Sequence, residues 1–345
     1  MADGFLFRRP ITIVASEVSN PASGPLIDFP VLVNATLPGL GAASQASGAD
    51  LVFTDADGVL LDSEVELFEA DRLVAWVKVP SLSNAADTRL FLNYGHPTPP
   101  STNPEQVWDA YKAVWHLGQD PASAGAGDIR DSTANDKDGT AAVSMSTNDL
   151  VDGQIGRALK FEDADNSFVR VPSPINVGTG FTLSAWINVD LAANNIVTVF
   201  SNSNSGLEID GFRLFVNNQN SSNGRLFFET SSGGPLSDNA AFTGTGVVPF
   251  GTWAHVAVVV DRTAGTARLF VNAVDLTSDQ TITTTFNIDS THTIGRMGDE
   301  FSFEGMIDEV EIASAKLPAE WIQTTVANQK SDSTFLTIGP EEAVR

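Results

Sequence analysis

The chain has 345 residues, enough for two ordinary domains, and carries 43 Asp plus Glu against 19 Lys plus Arg, a formal net charge of −24. An acidic field of that size repels phosphate backbones and anionic lipid, so nucleic acid is not expected as a partner. The absence of cysteine excludes disulfides, thiolate zinc sites and cysteine nucleophiles, and no segment approaches the roughly 18 apolar residues of a membrane-spanning helix.

The amino-terminal "MADGFLFRRPITIV" lacks the basic start and long apolar run of a signal peptide. Either a signal has been removed or none is used, and a place outside the cell, on a cell surface or on a virion is expected. "FRRPITIVAS" and "FPVLVNATL" read as two strands split by a turn-rich stretch. "DLVFTDADGVLLDSEVELFE" reads as a hairpin around Asp55-Ala56-Asp57-Gly58, since Asp and Gly accept left-handed backbone angles. "RLVAWVKVP" alternates, with Leu73, Ala75, Val77 and Val79 on one face, and "TRLFLNYG" follows as another strand. The proline-rich "HPTPPSTNPEQ" then breaks any sheet ladder and reads as a linker.

Strand patterns resume after it. "FTLSAWINV" shows the period of two best, with Phe181, Leu183, Ala185, Ile187 and Val189 opposing Thr182, Ser184, Trp186 and Asn188. So many short strands in one stretch call for two stacked sheets. "KLPAEWIQTTVANQ" predicts a short helix with Pro318 at its start, and "STFLTIGP" a final strand. The expected division is an amino-terminal β-sandwich over residues 1–100 and a second domain over 107–345 that holds the helix and final strand. The alternative, in which the final strand returns to the first domain, stays open.

The run "AVWHL…DSTANDKDGTA…GQIGRALKFEDADNSFVRVP…FTLSAWIN…GTWAHVAVVVDRTAGTARLFVNAV…TIGR…FEGMIDEVEIAS" resembles the laminin-G-like jelly rolls of the concanavalin A-like lectin/glucanase superfamily. The first part resembles a bacterial domain of unknown function that commonly precedes them. The fold class expected is therefore all-β, two β-sandwich domains with the second a jelly roll. The resemblance implies a non-catalytic module for sugar or surface binding, adhesion or assembly.

"DIRDSTANDKDGTA", residues 128–141, fails as an EF-hand, because Asp136 stands where glycine and Ala142 where glutamate is required. Two readings remain, a polar turn capped by Asp131 and a jelly-roll calcium site. In the jelly rolls it resembles, the first strand runs antiparallel to the last, which implies that Asp131 and Asn135 approach Asp308. One structural calcium held by Asp131, Asn135 and Asp308 is the cofactor expected.

Glucanases of the superfamily need paired carboxylates on one strand. "LEIDGFR" supplies Glu208 and Asp210, but Phe212 and Arg213 follow where the second glutamate is required. Glu64 and Glu66 share a face of "SEVELFE", whereas Glu69 points away unless a bulge intervenes. His96, His116, His255 and His292 show no metal-ligand spacing. Trp76 and Trp186 sit on the more polar faces of their strands, with Asn188 beside Trp186, so these three are the candidate sugar contacts. Inter-sheet packing is the competing reading of both tryptophans. No enzyme is expected. The function expected is a glycan-binding or adhesion module, with a structural virion component or extracellular fibre subunit as the second class and a glycoside hydrolase or lyase as the third. Partners are a glycan or surface polymer, or other subunits of an assembly including copies of the same chain.

Overall fold

The computed structural model describes residues 4–123, 125, 127–171, 174–202, 208–235, 239–288, 290–298 and 300–344. The chain divides into two units, Met1–Asp109 with Pro318–Arg345, and Ala110–Leu317. Among the described residues no helix is long and apolar enough to cross a membrane.

The first unit begins with β1 (Phe7–Ile13), β2 (Leu26–Thr36), β3 (Val52–Asp55), β4 (Ser63–Glu69), β5 (Arg72–Leu82) and β6 (Thr88–Tyr94). One sheet runs β2-β5-β4 and the other carries β1-β6-β3, all antiparallel. Ile11, Val31, Val33, Phe53, Leu73, Ala75 and Val77 are buried, as the alternation demands. The turn at Asp55 forms for the expected reason. Its Oδ1 accepts from the amides of Asp57 and Val59, and Gly58 adopts φ +82°. The strands on either side do not form a hairpin, however. β3 pairs with β6 and β4 with β5, so the chain crosses between sheets after the turn and only a bridge from Thr54 to Leu60 joins its arms.

The second unit holds β7 (Tyr111–Trp115), β8 (Thr140–Ala141), β9 (Leu150–Asp152), β10 (Arg157–Phe161), β11 (Val169–Val171), β12 (Gly180–Val189), β13 (Val197–Ser201), β14 (Glu208–Val216), β15 (Leu226–Pro235), β16 (Ala240–Thr243), β17 (Ala254–Asp261), β18 (Thr266–Val271), β19 (Val274–Asp275), β20 (Thr277–Asp279), β21 (His292–Ile294) and β22 (Gly305–Ala313). Two eight-stranded sheets result. One runs β19-β18-β17-β12-β22-β10-β9 with β7 also on β22, and the other β20-β16-β15-β14-β13-β21-β11-β8. β7 is antiparallel to β22, with Val310 facing Trp115. Phe181, Leu183, Ala185, Ile187 and Val189 of β12 meet Phe200, Phe212, Leu214 and Phe228 of the opposite sheet in a single core. Burying rings of this size contributes roughly 2–3 kcal/mol each, which ties the two sheets together.

The helix Ala319–Gln329 follows Pro318, as the sequence predicts, and leads to β23 (Leu336–Ile338) and β24 (Glu342–Ala343). The expectation that this tail belongs to the jelly roll is overturned. β23 adds to β1, pairing Ile11 with Ile338, and β24 pairs Phe7 with Ala343. The helix lays Trp321 against Phe29, with ring centroids 4.8 Å apart. The physical cause is an open strand edge. β1 and β2 each leave backbone groups unpaired on one side, and the tail supplies partners.

Candidate functional site

The residues selected from sequence are placed differently from expectation. Trp76 is fully buried, its Nε1 donates to Glu66 Oε2 at 2.9 Å and its ring meets the edge of Trp108. Trp186 is 3% exposed and packs edge-on to His255 at 5.4 Å. Neither ring presents a face for a sugar, so both expectations of stacking are corrected in favour of packing. Asn188 is half-buried opposite Met306.

Asp131 and Asn135 do share a loop, but the loop uses them itself. Asp131 Oδ1 accepts from the amides of Val114 (2.9 Å) and Thr133 (3.0 Å). Its Oδ2 accepts from the Thr133 hydroxyl (2.8 Å) and the Lys137 amide (2.9 Å). Burial pushes the Asp131 pKa up, and these hydrogen bonds oppose it. Asn135 donates to the Tyr111 carbonyl and the Thr133 hydroxyl. Asp308 turns to another loop and accepts from the amide of Ile155 at 2.9 Å. Among the described residues Asp131 and Asp308 enter no convergent set of three acidic or histidine ligands. The stretch forms a turn organised by the buried Asp131.

The carboxylates considered for hydrolysis are likewise engaged. Glu64 accepts from Trp108 Nε1 and Glu66 from Trp76 Nε1. The bulge that the sequence left conditional is present in β4, between Val65 and Leu67. Asp210 accepts from the Asn287 amide at 2.8 Å, whereas the Glu208 side chain lies outside the described residues. Phe212 points into the core. Arg213 points outward and meets Glu229 directly across the ladder, with Nε donating to Oε2 at 2.8 Å and side chains only 7% and 10% exposed. The Glu229 carboxylate is thus engaged by the guanidinium across the ladder.

Around that ion pair lies a surface the sequence reading missed. On the outward side of β14, β15 and β16, Phe215 stacks on Phe227 at 4.8 Å with planes 2° apart, and Phe227 meets Phe242 at 6.0 Å. Arg213 lies over Phe215 and Phe301, and Arg225 over Phe227 and Phe242. An open groove of about 500 Å³ runs beside them, bordered by Asn218, Ala240, Asp279 and Thr281. Its signal was present as a tripeptide. Arg213-Leu214-Phe215, Arg225-Leu226-Phe227 and Arg268-Leu269-Phe270 each bury the leucine and place the guanidinium over the ring two residues on. A period of two puts the arginine and phenylalanine on one face.

His255 and His292 are buried and held neutral. Burial pushes each pKa down to about 3, with Lys137 adding to the effect at His292.

Residues 163–323 match the family model described as the concanavalin A-like lectin/glucanases superfamily, and residues 47–116 match a domain of unknown function, DUF2341. The second unit is thus a concanavalin A-like jelly roll, preceded in the chain by a DUF2341 segment. No curated protein matches the chain. Among solved structures it is similar to the receptor binding domain of botulinum neurotoxin C/D mosaic serotype, with 14% identity, a TM-score of 0.44, and coverage of 64% of this chain and 52% of that one. It is also similar to the botulinum neurotoxin serotype D ligand binding domain in complex with N-acetylneuraminic acid (16%, TM-score 0.44, 64% and 51%). A third is domain 4 of an extracellular arabinanase from Geobacillus stearothermophilus in complex with arabinotriose (19%, TM-score 0.41, 63% and 97%). The chain spans about half the length of the two neurotoxin chains.

Proposed function

We propose that this chain is a non-catalytic carbohydrate-recognition module, displayed outside the cell or on a virion, that meets its ligand on the outer face of β14, β15 and β16. The observation that carries the reading is the closed Arg213–Glu229 pair set among phenylalanine rings. A hydrolase needs an unencumbered acid beside its nucleophile. Here the corresponding strand offers an arginine that engages its acidic neighbour, and what remains is a polar groove with the half-buried Phe242 on its wall. Sugar rings present apolar C–H faces to such walls and hydroxyls to groups like Asn218 and Thr281. The superfamily match supports the same class.

The test is a glycan array probed with the full chain, together with a reducing-end assay on β-glucan, xylan and alginate. Saccharide binding that is lost in Phe242→Ala at an unchanged melting temperature, with no new reducing ends, is the expected result. Turnover abolished by Glu208→Gln overturns the non-catalytic half of the reading. Ordered self-assembly with no saccharide bound overturns the recognition half.

A further inference from the structure

On the reading that this outer face binds saccharide, we propose that the saccharide is acidic: a uronate-bearing chain whose carboxylate is clamped by Arg225 while its ring lies on Phe242. The inference starts from an imbalance. Acidic residues outnumber basic ones 43 to 19, so an arginine of this chain is surrounded by candidate partners. Arg213 and Arg268 have taken theirs, Glu229 and Asp275. Arg225 has not. Among the described residues its side chain makes no ion pair and donates no hydrogen bond, and its Nε is buried without an acceptor. The guanidinium is held in place by rings instead, 5.8 Å from the centre of Phe227 and 5.0 Å from that of Phe242.

A guanidinium set between aromatic rings, with its donors unspent, is preorganised for a planar two-oxygen acceptor. The groove it borders is large enough for a sugar unit, at about 500 Å³, and two of the other polar groups around it, Asn218 and Thr281, suit hydroxyls. Asn218 offers an amide and Thr281 a hydroxyl, while Asp279 also lines the groove, its Oδ1 accepting from the Thr281 amide. Glu229 does not oppose an anion here, because Arg213 already neutralises it.

The net charge of −24 argues the other way, and distance decides between the two. At physiological ionic strength charges beyond about 8 Å are largely screened, whereas a contact pair in a half-buried groove is not. The overall field slows the encounter, and the clamp governs retention.

The same sheet face carries a second place where arginines lie beside a ring. Val169 and Val171 of β11 point into the core, which turns Arg170 outward, and its guanidinium lies 5.5 Å from the Phe168 ring. Arg296 covers that ring at 5.0 Å. Four strand spacings separate β15 from β11 in the sheet order, which is about 19 Å. A repeating polyanion laid across the strands would meet both places, and a single acidic sugar only one.

The experiment measures binding of the full chain to polygalacturonate, to the same polymer fully methyl-esterified, and to neutral pullulan and xylan. The expected result is that esterification weakens binding about tenfold or more, that Arg225→Gln removes this difference, and that Arg170→Gln weakens the long polymer but not a monouronate. Melting temperatures of both variants verify the fold. Equal binding of the acidic and esterified polymers, unaffected by Arg225→Gln, overturns the acidic preference and leaves the saccharide reading standing. Preference for the acid that survives Arg225→Gln overturns the clamp. Failure of all four polymers to bind a correctly folded chain overturns both this inference and the reading beneath it.

Discussion

The carboxamide of Asn328 closes both backbone groups of Leu32, its Oδ1 accepting from the Leu32 amide at 2.7 Å and its Nδ2 donating to the Leu32 carbonyl at 3.0 Å. Leu32 lies on β2, an edge strand, and the helix Ala319–Gln329 thus places a side chain where a neighbouring strand would run. Thr324 does the same for Ser19. Removing the Asn328 carboxamide leaves a buried donor and acceptor unsatisfied, at about 1–3 kcal/mol each. Asn328→Ala is expected to destabilise the first unit by about 2–4 kcal/mol, seen as a lower urea midpoint. An unchanged midpoint would show that water replaces the amide without cost.

Asp131 satisfies four donors, three in its own loop and the fourth the β7 amide of Val114. Asp131→Ala is expected to cost about 3 kcal/mol, and melts recorded with calcium and with chelator are expected to coincide for the unaltered chain. A calcium-dependent rise of several degrees that vanishes in Asp131→Ala would restore the cation reading.

The Arg213–Glu229 pair is closed and mostly buried. Breaking one partner strands the other, so Arg213→Met is expected to destabilise by about 3 kcal/mol, while Arg213→Met with Glu229→Leu recovers most of that loss. A double variant no better than the single would show that the guanidinium acts through Met297 and the rings rather than through charge.

His292 packs against Phe200 and Phe212 and is held neutral, its pKa pushed down to about 3. In the unfolded chain an ordinary histidine titrates near 6.5. Between those values the unfolded state binds the extra proton, so stability falls as pH drops from about 6.5 towards 3, by about 1.4 kcal/mol per unit for this group. His292→Phe is expected to reduce the slope of unfolding free energy against pH by that amount between pH 6 and 4. Parallel slopes in the two proteins would mean that His292 is protonated in the folded state.

Much of the fold was written in the period of two. β12 buries the five residues its alternation names, and β5 does the same with Leu73, Ala75, Val77 and Val79. The destination of the tail was not legible, because Leu336 and Ile338 say that a strand forms but carry no address. That is set by the unpaired edge of β1, far away in sequence. Trp76 and Trp186 misled for a related reason. A polar-facing position on a strand is exposed only if nothing packs over it, and alternation reports the face rather than its cover. The Arg-Leu-Phe repeats were visible as letters, but their meaning depends on register. Only the pairing of Phe215 with Phe227 and of Phe227 with Phe242 gathers the first two on one surface, and the third lies on β18 of the other sheet.

The first unit is interrupted in sequence: its β1 awaits β23, and its β2 awaits the helix, with residues 110–317 in between. The segments that close the outer edges of β1 and β2 are synthesised only after the whole jelly roll. The outer edges of β1 and β2 therefore wait while some two hundred residues are translated, about ten to forty seconds at ordinary rates of synthesis. The ends of the inserted unit are already clasped, since the Ser314 amide and hydroxyl both donate to the Ala110 carbonyl. That clasp makes the jelly roll a self-closing cassette, one that could be moved into another host loop without redesigning its ends.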